Sequence, residues 1–200
     1  QHNVPFTMKN IYHMFNIIIG ASASNFEKAL VEAVDNFTKH TDDNRYHIEG
    51  WKSNSGYMLN KKIILPYCID TSWSTPHVTG RYTDYLKDLI KVLCNITGTN
   101  FSHVISLERL IEYRYKIYQN GIFKESIKED GYYDWCFGNK LEDVESTSKK
   151  LTKIGIKHEI IDQQFEYGKW MDFHFFELRG YKKGTVHIKF KDDSVWEQLN

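Results

Sequence analysis

Residues 173–190 constrain the fold more than any other stretch of this 200-residue chain, because apolar and charged residues alternate on both sides of a glycine turn. Successive side chains of a β-strand point to opposite faces, and directly opposed residues of an antiparallel pair share a face. Pairing Tyr181 with Thr185 sets Leu178 opposite Ile188 and collects the apolar residues on one face. A shift by one residue would mix apolar and charged side chains, which burial disfavours.

The loop of this hairpin has suitable turn chemistry. The same register leaves Lys182, Lys183 and Gly184 between the two strands. Glycine stands where a type I turn with a bulge needs a positive φ, which glycine adopts without a steric penalty. Turn chemistry and long-range pairing therefore agree, and they predict an antiparallel hairpin of residues 173–181 and 185–190.

The opposite face of the hairpin carries four polar side chains. The register sets Glu177 opposite Lys189 and Arg179 opposite His187. Histidine changes charge near neutral pH and can act as a general acid or base, and the two cations can hold a phosphate. These four are the candidate catalytic residues. The alternative is a solvated outer face, whose cross-strand ion pair contributes roughly a few tenths of a kcal/mol.

A second stretch, residues 50–66 (GWKSNSGYMLNKKIILP), combines basic, amide and aromatic residues. Lysines suit contact with phosphates and aromatic rings suit base stacking, although Asn and Lys are also ordinary turn residues. The candidate nucleic-acid-binding residues, including those of the hairpin loop, are Trp51, Lys52, Asn54, Tyr57, Lys61, Lys62, Lys182 and Lys183.

Helical periodicity organises most of the remaining chain. The predicted helices are residues 6–19, 25–40, 81–97, 106–119 and 141–154, and a short terminal helix follows Asp192. Gly20 is a suitable helix terminator, so the first two helices are expected to form a helical hairpin.

Several shorter stretches are less regular. Residues 62–66 read as a strand and residues 66–80 as an irregular excursion. For residues 124–139 and 156–161 the choice of strand or loop stays open. The whole pattern predicts one α+β domain over residues 1–200, with several helices packed on a small antiparallel sheet, a C-terminal β-hairpin and a short terminal helix.

Composition excludes several classes of protein. Lys+Arg and Asp+Glu both number 26, which argues against a strongly basic nucleic-acid coat protein but allows a local basic site. Three widely spaced cysteines favour a reducing cytosol over a disulfide framework, and no apolar run reaches the roughly 18 residues of a membrane span. We therefore expect a cytoplasmic protein without membrane contact. The chain starts without Met, so it is either processed or a fragment of a longer protein.

Established catalytic motifs are not evident. His, Asp and Glu do not stand at metal-ligand spacing on a common element, and the sequence has no Gly-x-Ser-x-Gly elbow. Cys68, Cys94 and Cys136 have apolar surroundings, which keep a thiol protonated. The sequence therefore predicts no metal and no cofactor.

The two informative stretches, with the helix YTDYLKDLIKVLCNITG between them, resemble a family known as domain of unknown function 4942. That family has Trp-Lys-Thr-Asn where this chain has residues 51–54, and a tail like YKKGT followed by His187, Phe190, Trp196 and a final Asn200. The family occurs in bacterial mobile-element proteins and is sometimes fused to an adenine-type DNA methyltransferase. The resemblance implies a mobile-element or defence system rather than a set of catalytic residues, and no GxG or DPPY-like methyltransferase motif is present.

Two functions stay open at this point. By analogy of architecture with barnase- and RelE-like ribonucleases, the first is a metal-independent endoribonuclease with His187 as general acid or base. Arg179 and Lys189 would hold the scissile phosphate, and Glu177 would orient a neighbour or act as the second acid or base. The second is a non-catalytic module that binds nucleic acid or a protein partner beside a DNA-modifying domain. The predicted partner is a nucleic acid, either RNA or single-stranded DNA. For the non-catalytic module, a protein partner is the alternative.

Overall fold

The computed structural model of the chain describes residues 8–38, 59–129 and 132–200. The helices in this part are α1 (Met8–Thr38), α2 (Arg81–Thr97), α3 (Leu107–Glu112), α4 (Leu141–Lys153) and α5 (Asp193–Leu199). The strands are β1 (Lys62–Leu65), β2 (Ile69–Asp70), β3 (His77–Val78), β4 (Tyr115–Gln119), β5 (Ile122–Phe123), β6 (Ser126–Glu129), β7 (Tyr132–Trp135), β8 (Phe137–Gly138), β9 (Glu159–Asp162), β10 (Met171–Phe173), β11 (Phe176–Gly180) and β12 (Val186–Phe190). The predicted α+β class is confirmed.

The C-terminal hairpin forms the centre of a four-stranded antiparallel sheet with the strand order β1-β12-β11-β10. Leu178 lies opposite Ile188, so the predicted register is confirmed. Gly184 has φ +83°, and the backbone N–H of Tyr181 donates to the Thr185 carbonyl at 2.9 Å. The predicted loop is therefore confirmed as well.

Backbone hydrogen bonds from a neighbouring segment hold the hairpin loop in place. The carbonyl oxygen of Gly184 accepts hydrogen bonds from the backbone N–H groups of Cys68 at 2.9 Å and Ile69 at 3.1 Å. Residues 66–80, predicted to be irregular, contain the two-stranded β2–β3 ladder, in which Ile69 pairs with Val78. This ladder supports the loop that carries Lys182 and Lys183.

The first strand of the hairpin is shorter than predicted. The chain turns at residues 174–175, where His174 has φ +51°, and Phe173 then pairs with Phe176 instead of continuing the same strand. In one continuous strand Phe173 would share the charged face with Glu177 and Arg179. The turn instead brings Phe173 into the core, where it is buried.

The predicted strand at residues 62–66 is confirmed as β1, which pairs with β12. Ile63 lies opposite Ile188 on the inner face of the sheet. That face contributes to one buried cluster together with Leu89 and Leu93 of α2, a helix that begins and ends as predicted. The described part of the second informative stretch, residues 59–66, therefore adjoins the hairpin.

The predicted helical hairpin at the N-terminus is wrong, because residues 8–38 form the single helix α1. Gly20 inside a helix costs only about 1 kcal/mol relative to alanine, which a long helix tolerates. The C-terminal half of α1 buries Ala33 and Phe37, and the Phe37 ring makes an edge contact with Tyr85 of α2 at 6.4 Å. Packing of this half therefore stabilises the helix.

The predicted helix at residues 106–119 is wrong in its second half. Helix α3 ends at Glu112, and β4 then pairs with β5, β8 and β9 in a second sheet. Aromatic and β-branched residues favour strands, and Ile117 is fully buried. Lys116 is buried as well, and its Nζ donates to the Gln163 carbonyl at 2.9 Å. The two stretches left open contribute β6, β7, β8 and β9.

Helices α4 and α5 are confirmed close to their predicted positions, and Asp192 caps α5 by accepting from the Ser194 N–H at 2.8 Å. Across residues 8–38, 59–129 and 132–200, no helix has both the length and the apolar character needed to cross a bilayer.

Candidate nucleic-acid interface

The predicted quartet comes together on the outer face of the first sheet. Glu177 lies opposite Lys189, and Arg179 lies opposite His187, as the parity of the strands required. Glu177 and Lys189 form a salt bridge. The register of the hairpin therefore brings all four side chains to one face of the sheet.

The outer face is not a solvated surface throughout, as the alternative to a catalytic quartet would require. His187 is only 4% exposed, and the centroid of its ring lies 4.4 Å from that of Tyr181. Burial and the nearby Arg179 charge both disfavour the imidazolium and lower the pKa of His187 from 6.5 to about 4. The imidazole is therefore neutral at pH 7, so the imidazolium form that acts as a general acid is scarcely populated.

Aromatic rings flank the cations of this face. The Arg179 guanidinium lies 4.6 Å from the Trp170 ring and 5.2 Å from the Tyr181 ring, and Lys189 Nζ lies 4.8 Å from Trp170. In the described part of the chain, the buried Nε of Arg179 has no hydrogen-bond partner. Ring stacking therefore contributes to the position of this guanidinium.

Trp170 is a site residue that we did not single out from the sequence. It immediately precedes β10, whose Met171 pairs with Leu178, so the continued register sets Trp170 opposite Arg179. The sequence would have placed Trp170 beside Arg179 if the turn at residues 174–175 had been predicted. Without that turn, residues 170–173 are not expected to pair with β11.

An open groove of about 570 Å³ lies beside the hairpin loop. Its lining residues are Tyr167, Gly168, Tyr181, Lys182, Lys183, Thr185 and His187. Both lysines are exposed, and no ion pair involves them within the residues that the structure describes. The backbone N–H of Gly168 donates to the Gly180 carbonyl at 2.9 Å, which fixes the Tyr167 turn beside β11. The groove thus combines two tyrosine rings with two lysine charges.

The remaining predicted binding residues divide into three cases. Lys62 is exposed and lies opposite Lys189, so it extends the cationic part of the outer face. Lys61 instead contacts α5: its Nζ lies 2.7 Å from an Asp193 carboxylate oxygen and 4.9 Å from the Trp196 ring. The third case comprises residues outside the described part of the chain: Trp51, Lys52, Asn54 and Tyr57.

A second cavity, of about 310 Å³, contains none of the predicted site residues. It lies between α2, the chain before α3 and β10, and Leu86, Ile90 and Phe173 contribute to its apolar lining.

The cysteines are poor nucleophiles. Burial raises the pKa of Cys68 to about 12 and that of Cys136 to about 11, and it also raises the pKa of Cys94. All three thiols are therefore protonated at neutral pH. Among the described residues, no three His, Cys, Asp or Glu side chains are grouped so that they could hold a metal ion.

Comparison with family models identifies the family that the sequence resembles. Neither the curated proteins nor the solved structures contain a match to this chain. A family model described as Domain of unknown function (DUF4942) matches residues 1–200, which is the whole chain. The chain therefore belongs to the DUF4942 family.

Proposed function

We propose that this protein binds single-stranded nucleic acid through the groove beside the hairpin loop and the adjoining outer face of the first sheet. The observation that carries the proposal is the groove itself, where Tyr167 and Tyr181 lie beside Lys182 and Lys183. Stacking of a base on an aromatic ring is worth about 1–3 kcal/mol and tolerates any base, and lysines neutralise phosphates. The site therefore suits a single strand of either RNA or DNA.

Charge on the outer face supports the same function. Arg179 stacks on Trp170, and within the described ranges no carboxylate pairs with its guanidinium. Lys62 and Lys189 lie on neighbouring strands of this face, although Glu177 partly neutralises Lys189. The chain as a whole has no net charge, so the cations of this region provide a local attraction for phosphates.

Binding is a better match to the site than cleavage. The observation in favour of a ribonuclease is the adjacency of His187, Arg179 and the Glu177–Lys189 pair. Against it, His187 is buried under Tyr181 and its pKa is about 4, whereas efficient general acid–base catalysis needs a pKa near the working pH. We therefore rank the endoribonuclease second.

Salt dependence of binding tests the role of the loop lysines. Replacing both Lys182 and Lys183 with Gln should reduce the slope of log K against log salt by about 1.4, since each phosphate contact to a single strand contributes about 0.7. The measurement is fluorescence anisotropy with labelled oligo(dT) and oligo(U), which also separates DNA from RNA. Tyr181→Ala should weaken binding at every salt concentration without changing the slope, and Tyr181→Phe should bind like the wild type.

A matched control is available on α4, which packs on the second sheet. Lys149 and Lys153 are exposed there, and changing both to Gln alters the net charge by the same amount. An equal loss of slope in this control would mean that only net charge matters. Absence of binding to either oligonucleotide at low salt would contradict the proposed function.

RNA cleavage separates the two candidate functions. Wild-type protein incubated with mixed cellular RNA at several pH values is expected to leave the RNA intact, because His187 is a neutral imidazole near neutral pH and the imidazolium needed as general acid is scarcely populated. Time-resolved gel electrophoresis with and without EDTA is the measurement. Cleavage that EDTA does not inhibit and that His187→Gln abolishes would establish the endoribonuclease instead.

A further inference from the structure

The N-terminal half of α1 carries a broad exposed apolar surface. Seven large apolar side chains between residues 8 and 19 are 53–64% exposed. They are Met8, Tyr12, Met14, Phe15, Ile17, Ile18 and Ile19. Monomeric proteins rarely expose so many neighbouring apolar side chains unless the surface binds another molecule.

This surface continues a face that is already used for packing. Helix α1 has 31 residues and α2 has 17, so α1 is longer by about 20 Å at 1.5 Å per residue. With 3.6 residues per turn, Phe15 and Ile19 lie on the same face as Ala33 and Phe37, which are buried in the core. The packing face of α1 therefore extends beyond the part of the helix that buries its side chains.

We propose that the N-terminal half of α1 forms a homodimer interface with the same segment of a second copy, with the two helices antiparallel about a two-fold axis. Ile11, Met14, Phe15 and Ile18 line a groove of about 140 Å³ on this surface. A two-fold axis near Phe15 places Ile11 of one copy beside Ile18 of the other, and the reverse. In this arrangement the same four side chains form the contact surface of both copies.

Charge favours a second copy over a different protein. Residues 10–26 contain no Asp, Glu, Lys or Arg. Interfaces between different proteins commonly use complementary charges for specificity, whereas homodimer interfaces are more apolar. Two copies of this segment meet without opposing like charges.

The available area matches a stable interface. Six of the seven exposed residues lie within about 100° of Phe15 around the helix, and Ile17 points to the opposite side. A large apolar residue offers about 170 Å² when fully exposed, so six residues at about 60% exposure offer up to roughly 600 Å² per copy. Two copies together approach roughly 1,200 Å², which is the lower end of the range of about 1,200–2,000 Å² that specific interfaces bury.

The mass of the full chain in solution tests the proposal. Light scattering after gel filtration at about 50 μM, well above the nanomolar to micromolar dissociation constants typical of interfaces of this size, should give twice the mass of one chain. Phe15→Glu with Ile18→Glu should give one chain mass with unchanged helical circular dichroism. His13→Glu, an exposed position on the opposite side of α1 from Phe15, should remain dimeric. A monomeric wild type, or a dimer that the Phe15→Glu and Ile18→Glu changes leave intact, would overturn the proposal.

Cysteine cross-linking tests the antiparallel arrangement. Because Cys68, Cys94 and Cys136 are buried, an introduced surface cysteine is the reactive thiol of each variant. Under mild oxidation, Ile11→Cys mixed with Ile18→Cys should give a disulfide-linked dimer, and neither variant alone should link. Linking of each variant to itself would indicate parallel helices and would overturn the arrangement.

Discussion

Leu89→Ala should lower the free energy of unfolding by about 2 to 5 kcal/mol, which is the usual range for truncating a buried leucine. Leu89 is fully buried in the middle of α2, within the cluster that also contains Leu178 and Ile188 of the first sheet. The loss combines the transfer free energy of the removed carbons with the cavity that remains. Leu93 is equally buried, and its truncation should have an effect of the same size.

Denaturant titration at one fixed protein concentration measures this effect, and the fixed concentration removes any contribution from association. Lys91→Ala is the matched control, because Lys91 is exposed on the same helix and its pairing with Asp88 is a surface ion pair. Exposed pairs of this kind contribute about 0–1 kcal/mol. A Leu89 variant as stable as the control would show that the buried face of α2 is assigned incorrectly.

His187 should make the fold sensitive to acid. Its pKa is about 4 in the folded protein and about 6.5 in the unfolded chain, so the unfolded chain binds more protons between these values. Stability is therefore retained above pH 6.5 and is lost as the pH falls toward 4. The full loss amounts to roughly 3 kcal/mol, at 1.36 kcal/mol per pKa unit.

The measurement is the free energy of unfolding at pH 7.0, 6.0, 5.0 and 4.5. His187→Gln should have a shallower decline toward acid than the wild type, because it removes this proton uptake. His103→Gln serves as the control for the same substitution at an exposed position. Burial also lowers the pKa of His174, so part of the acid dependence should persist in the His187 variant. An identical decline in wild type and His187→Gln would contradict the assignment.

The hairpin could be predicted from the sequence because two independent signals, the parity of its apolar residues and Gly184 in the loop, specify the same register. The turn at residues 174–175 could not, because its positive φ at His174 is stabilised by a distant contact. His174 Nε2 accepts a hydrogen bond from the Ile105 N–H at 2.7 Å, and no local pattern encodes that partner. Because this turn was not predicted, β10, which pairs with β11 across it, was not predicted either.

The two wrong helix boundaries have different physical causes. Gly20 is a common terminator, but here its low helix propensity does not interrupt α1. Residues 113–119 satisfy helical spacing and strand alternation equally well, and the pairing of β4 with β9 decides between them. Propensity is a weak signal when tertiary contacts supply most of the stability.

The candidate site shows the same limit. Strand parity correctly sets Arg179 beside His187, but it does not indicate that the Tyr181 ring packs on His187 or that Trp170 stacks on Arg179. The burial of His187, and with it its pKa, depends on packing that parity does not specify. Residue types alone therefore could not assign a role to His187, because its protonation depends on the packing of the aromatic rings.

The support of the hairpin loop by β2 affects how a ligand would bind. Because the Gly184 carbonyl already accepts two backbone hydrogen bonds, the main chain that carries Lys182 and Lys183 is preorganised in the free protein. Ordering one residue of a flexible loop costs about 1–2 kcal/mol of backbone entropy. A nucleic-acid strand that binds to this loop avoids that cost, because only the lysine side chains lose conformational freedom on association.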